Sequence, residues 1–329
     1  MGSTERSLAD DLRRPPPEGS KETSGGPAFP CESSRIGSLD LCDLPGALAL
    51  SASANWNQNE ADWRMMLALG QGWGIRTRGA DGPDQLAASI VALPYGATFA
   101  WVSMVLVLPE FRRLGLASRL LRHALGVLAS LGRSGLLDAT PAGHAVYLQE
   151  GFRDTWGFAR YRREARDLEF QKAEAQNADR TPGPASRPLR DGDWPAIEAL
   201  DAPAFGASRL PLLRALAQRL PLAARVVEVG GRLRGFVFGR EGREASQIGP
   251  LVADDETTAM SLMGDVLSDL PGPVYIDLLD RRQALLPWLQ LQGFTFQRPF
   301  TRMLHGAPGA PVAPGDSETV VLVAGPELG

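Results

Sequence analysis

The residues most able to do chemistry lie in one stretch, Met104–Leu121, MVLVLPEFRRLGLASRLL. Its apolar run Val105-Leu106-Val107-Leu108 reads as a strand, and Pro109, with no N–H for a ladder, ends it. The turn that follows holds Arg112-Arg113-Leu114-Gly115-Leu116-Ala117-Ser118. Leu116, Leu120, Ala124, Leu128 and Leu131 then recur at helical spacing, so the turn opens a helix. A helix start presents N–H groups without intrahelical acceptors, and its dipole favours an anion, so a pyrophosphate fits there. Gly115 lets the backbone approach such a group, Ala117 is small, Ser118 offers a hydroxyl, and Arg112 and Arg113 add charge. An ordinary strand–turn–helix connection with a solvated Arg pair would look the same in isolation. The Gly-Lys of a P-loop and the Gly-x-Gly-x-x-Gly of dinucleotide folds are both missing, so another phosphate-bearing cofactor is expected.

A second segment, Pro141-Ala142-Gly143-His144-Ala145-Val146-Tyr147-Leu148-Gln149-Glu150-Gly151-Phe152, follows downstream. Together the two segments resemble the GNAT superfamily of N-acetyltransferases. The first is similar to its cofactor loop, Gln/Arg-x-x-Gly-x-Gly/Ala after a Val-rich strand. The second is similar to its helix and Gly-Phe segment, and the likeness covers most of 39–166. It implies acetyl-CoA as co-substrate and no metal. It implies that Met104, Val105, Leu106 and Val107 offer backbone groups to the pantetheine arm and acetyl carbonyl, and that Arg112 through Ser118 hold the pyrophosphate. Tyr147 would protonate or hydrogen-bond the departing thiolate, or else pack its ring in the core. Trp56, Asn57 and Gln58, with Met104, would line the acceptor side. A helix cap with Trp56 and Trp63 in the core is the other reading of that region.

Direct transfer to a primary amine needs no covalent enzyme intermediate, but it needs a neutral amine, whose pKa is near ~10.4 for a lysine-like group. No acidic residue stands on Trp101–Leu108 to take the proton. Glu110, Asp138 and His144 are candidates nearby, and His123 reads as a solvated residue.

The elements that must position these residues occur twice. In the first half, Asn59–Leu69 reads as a helix capped by Asn59, and Gly74–Thr77, Leu86–Leu93 and Trp101–Leu108 read as strands. Helix 114–132, strand 135–139, helix 142–150 and strand 152–162 follow. The second half repeats this order: helices 194–204 and 209–219, strands 224–229, 234–240 and 245–252, helix 256–270, strand 273–278, helix 283–292 and strand 294–303. The expected fold class is α/β (α+β), two GNAT-type mixed sheets flanked by helices, in tandem. A polar tail over 1–37, a catalytic unit over 38–166, a linker over 167–187, a second unit over 188–306 and a tail over 307–329, in which Thr319–Ala324 could pair as a short strand, complete the plan. In the second unit Asp254-Asp255-Glu256 replaces the Arg-x-x-Gly-x-Ala pattern and would repel a pyrophosphate. Arg298 and Arg302, on its last strand, could face a shared cleft and meet an acidic acceptor.

The 329 residues carry 34 basic and 38 acidic side chains, net −4, with no basic block, which argues against nucleic acid as a partner. No apolar run is long enough to span a membrane, and Cys31 and Cys42 make neither a disulfide framework nor a zinc site, so a cytoplasmic protein is expected. Nothing in the sequence sets an oligomeric state. The expected activity is acetyl transfer to a small-molecule amine. A protein-amine acetyltransferase and an acyl-CoA-binding sensor without turnover are the alternatives.

Overall fold

The computed structural model describes residues 35–78, 84–165, 183–306 and 315–329. Most of the expected N-terminal tail and linker, and the start of the C-terminal tail, lie outside these residues. The flanks that are described add three short strands, the last of them within the apolar run 319–324. Ile36–Ser38 is a strand (β1), Ser186–Pro188 is a strand (β7), and Val320–Leu322 is a strand (β13) in which all three residues are buried.

The first half continues with helices α1 (Leu44–Ser53) and α2 (Glu60–Leu69) and strands β2 (Gln71–Arg78), β3 (Asp84–Tyr95) and β4 (Phe99–Val107). Helix α3 (Leu116–Ser130), strand β5 (Ser134–Ala139), helix α4 (Pro141–Gln149) and strand β6 (Arg153–Arg163) follow. Helix α2 starts where Asn59 accepts from Asp62 N–H while the Asp62 carboxylate accepts from Asn59 N–H, a reciprocal cap. The sequence pattern gave no warning of α1. Its buried face is Leu44, Ala47, Leu50 and Ser51, too poor in large apolar residues to show a period.

The second half brings helices α5 (Trp194–Phe205) and α6 (Leu210–Arg219) and strands β8 (Arg225–Val229), β9 (Arg232–Arg240) and β10 (Ser246–Ala253). Helix α7 (Glu256–Ser268), strand β11 (Val274–Leu279), helix α8 (Leu286–Leu291) and strand β12 (Phe294–His305) complete it. The helix expected over 283–292 is instead a 3-10 segment, Asp280–Leu285, followed by α8. Pro287 has no N–H to donate back, so the α-helix begins there rather than earlier.

Among the described residues one thirteen-stranded sheet runs in the order β1-β2-β3-β4-β5-β12-β6-β11-β13-β10-β9-β8-β7. Among these strands of the described residues only β4–β5 and β10–β11 pair in parallel. The sheet's centre is an exchange: β12, the last long strand of the second half, lies between β5 and β6 of the first, and β6 lies between β12 and β11. The sequence divides into halves, but the sheet does not. Residues 315–329 then cross back to the first half, where Tyr95 Oη donates to Leu328 O at 2.8 Å and Trp101 Nε1 donates to Pro326 O at 3.0 Å.

Candidate active site

Strands β4 and β5 pair only from Phe99–Trp101 to Ser134–Leu136 and then part. The cause is local. Met104 has φ 52°, the β3–β4 register slips between Ser89 and Val91, and Ser89 Oγ pins the Met104 carbonyl at 2.8 Å. This bulge opens a cleft of about 500 Å³, part of it open to solvent. Val102, Ser103, Met104 and Val105 line one wall, and Leu137, Asp138, Thr140 and Tyr147 line the other. Leu106 and Val107 stand further along β4 and do not line it.

The Arg-Arg-Leu-Gly turn follows β4. Arg113 (φ 66°) and Gly115 (φ 72°) both adopt left-handed backbone, and α3 starts with no side-chain cap on its N–H groups. Arg112 Nε donates to Val107 O at 3.3 Å, tying the turn to the strand end. Leu116 is buried in the core and Leu114 is exposed, so both can serve an anion only through backbone groups; Ala117 and Ser118 are half-buried on the first turn. Tyr147 lies against Phe152, with ring centroids 5.8 Å apart. Its hydroxyl has no hydrogen-bond partner among the described residues, and burial pushes its pKa up to about 12, so it stays protonated.

The floor is polar and comes mostly from elsewhere in the chain. Trp56, Asn57 and Gln58 line it, but the Asn57 amide is already engaged. Its Nδ2 donates to Ala245 O at 2.9 Å, and its Oδ1 accepts from Glu244 and Ala245 N–H at 2.9 and 3.1 Å. Trp63 is fully buried with Nε1 donating to Ser51 Oγ, a core residue. Arg160 on β6 makes a two-fold ion pair with Asp277 on β11 at 2.8 and 2.8 Å. Glu327 is ion-paired to Arg240; burial opposes its ionisation, but Arg240 and Arg160 overcome that and hold the carboxyl below its ordinary value. Arg298 and Phe300 of β12 complete the floor with Pro326.

Arg302 does not line the cleft. It is sandwiched between Trp101 and Trp156 at 4.3 and 4.0 Å and binds Asp138 through Nε and Nη2 at 2.9 and 3.0 Å. Burial nevertheless pushes Asp138 up to about 6. Glu110 accepts from Gln85 on an exposed surface, His123 sets its ring against Trp73, and His144 meets Asp154 at 2.7 Å; none of the three lines the cleft. Sequence reasoning missed Arg160, Pro326 and Glu327. Arg160 had a signal, an arginine alternating with apolar residues in a strand, but Glu327 had none.

The matching gap in the second half is full. Strands β10 and β11 pair over Ser246–Ile248 and Val274–Ile276 and then separate around β13, where Leu322 faces both Leu251 and Leu278. Gly249 (φ 143°) permits this, because a Cβ there would collide with the Val323 carbonyl. The start of α7 is occupied as well: the Asp255 carboxylate accepts from Thr258 N–H at 2.7 Å, and Asp254 pairs with Arg234 at 2.5 Å. Among the described residues no cluster of side chains could hold a metal, and no helix is long and apolar enough to cross a membrane.

A bulged central strand that parts from its parallel neighbour, with an uncapped helix start after it, defines a GNAT-type acyltransferase unit. Comparison with known proteins agrees. The model of the acetyltransferase (GNAT) family matches residues 54–152, and that of an acetyltransferase (GNAT) domain matches 197–317. The uncharacterised N-acetyltransferase YitH of Bacillus subtilis is 22% identical over 252 residues, 76% of this chain and 84% of that protein. A protein assigned as an acetyltransferase from Pyrococcus horikoshii has the same fold, with a TM-score of 0.72 at 17% identity over 94% of this chain and 100% of that one. A tandem GNAT protein from the clavulanic acid pathway superposes with a TM-score of 0.55 at 15% identity, covering 86% of this chain and 100% of that one. The chain belongs to the GNAT family, as a tandem GNAT acyltransferase.

Proposed function

We propose that this chain transfers an acetyl group from acetyl-CoA directly to the primary amine of a small molecule, at the β4–β5 cleft. The observation that carries this is the pairing of an uncapped, left-handed turn at Arg113–Gly115 with a cleft whose wall holds a protonated tyrosine without a partner. The turn and the first N–H groups of α3 take the pyrophosphate. The β4 edge freed by the Met104 bulge takes the pantetheine and orients the acetyl carbonyl. The neutral amine attacks that carbonyl, the C–S bond breaks, and Tyr147 gives its proton to the sulfur. Asp138, with its pKa near 6, accepts the proton the nitrogen loses, through water because Arg302 covers both oxygens. The closed polar floor suits a small acceptor rather than a polypeptide.

Calorimetry with acetyl-CoA, followed by release of free CoA across an amine panel, tests this reading. Binding with turnover of some small amine is the expected result. Tight binding with no turnover on any amine would make the chain an acyl-CoA sensor, and turnover only on protein amines would displace the small-molecule acceptor.

A further inference from the structure

The floor of the cleft leaves several polar atoms sealed from water without a hydrogen bond. Arg298 Nε is a donor; Gln58 Oε1, Ser103 Oγ and Glu327 Oε2 can accept. Groups of this kind are costly to bury unless something pairs with them. The direct ion pairs also leave one guanidinium over. Arg160 is matched by Asp277, Arg302 by Asp138, and Arg240 by Glu327 and Asp62. Arg298 has no ion pair among the described residues; it leans on the Phe300 ring at 5.1 Å and faces Arg160 across the β12–β6 pairing. Burial and that facing arginine lower its pKa to about 10, so it remains a cation at neutral pH.

A ligand that completes the floor must bring an anion for one guanidinium and N–H donors for the acceptors. We infer that the acceptor is an amine that also carries a carboxylate, an amino-acid-like zwitterion, with Arg298 binding the carboxylate and with Gln58, Ser103 and Glu327 receiving the nitrogen. Arg298 thus sets specificity, and it comes from the exchanged strand rather than from the half that carries the cofactor turn. This rests on the acyltransfer reading above.

The test pairs α-amino acids, β-alanine and γ-aminobutyrate with their carboxamides and with the amines lacking the carboxylate, in acetyl-transfer assays of the full chain. The acid of at least one pair is expected to exceed its partners in kcat/KM by on the order of 100-fold. Arg298→Met should bring that ratio to about one, through KM more than kcat, and Arg298→Lys should restore part of it. Calorimetric titration of N-acetyl amino acids, which needs no turnover, should show binding to the wild type and its loss in Arg298→Met. Equal turnover of acids and carboxamides, or an unchanged ratio in Arg298→Met, overturns the inference and leaves acyltransfer standing. Failure of acetyl-CoA itself to bind overturns the reading of the site instead.

Discussion

Gly115 separates binding from folding. A Cβ there meets nothing within 4 Å, yet φ is 72° and a bound pyrophosphate would lie close to this backbone. Gly115→Val should therefore cost stability only the ~1–2 kcal/mol of a strained left-handed residue. It should weaken acetyl-CoA binding by at least ~10-fold, because a pyrophosphate could no longer approach the amides. Thermal melts and calorimetry on one sample check both, and unchanged affinity would place the pyrophosphate elsewhere. Tyr147→Phe keeps the ring and removes the proton; kcat should fall on the order of 100-fold with acetyl-CoA affinity retained. The pH profile carries a third mark. Below about 6, raising pH ionises Asp138 and also deprotonates the free amine, so log kcat/KM should rise with a slope near two. Above that value Asp138 is already ionised and the slope should drop to about one, set by the amine. A single slope across the range removes Asp138 from proton transfer. At this scale the turn before α3 was legible as a turn that opens a helix, because Gly, Arg and a helical period sit next to one another in sequence. The floor was not, because Glu327 meets Trp56–Gln58 only through the fold.

Strand pairs fix the floor's geometry, and the Arg160–Asp277 ion pair spans one of them, β6 to β11. Both side chains are buried, and Gln247 Nε2 adds a hydrogen bond to Asp277 at 3.1 Å. Asp277→Ala should destabilise the chain by ~3–5 kcal/mol in denaturant melts, since it leaves a sealed guanidinium unpaired. Replacing both partners, Arg160→Met with Asp277→Leu, should recover most of that loss; a single variant no worse than the double would deny the pair its structural role. Elements with a long period or a cap were readable, as α2 with its Asn59–Asp62 box and α3 with its leucine stripe show. The strands β1 and β7 have three residues each, too few to show alternation, and polar neighbours hide them, whereas the apolar run around β13 was readable. Gly249 carried no readable meaning either, until the β13 segment lay against it.

The exchange of β6 and β12 makes the two halves one folding unit at the scale of the whole chain. A fragment covering 35–165 has no β12 to cover the inner edge of β5, and β6 loses both neighbours. It should be insoluble or self-associated alone, whereas co-expression with 183–329 should yield a soluble complex in size-exclusion chromatography. A monomeric, cooperatively melting 35–165 fragment would contradict this. A duplicated order of elements was legible in the sequence; the exchange was not, because tandem and exchanged arrangements have the same element order. The cleft accordingly belongs to neither half, drawing its bulged strand and tyrosine from one and Arg298 and Glu327 from the other. The gap between β10 and β11 gives this arrangement a further meaning. With Val320–Leu322 seated in it, the second half is a receptor whose ligand belongs to the same polymer. A tethered ligand of this kind acts at an effective concentration in the millimolar range, and dilution cannot remove it. The chain thus has two gaps of common design, one left open as a cleft and one filled by a resident that also carries Glu327 to its neighbour's floor.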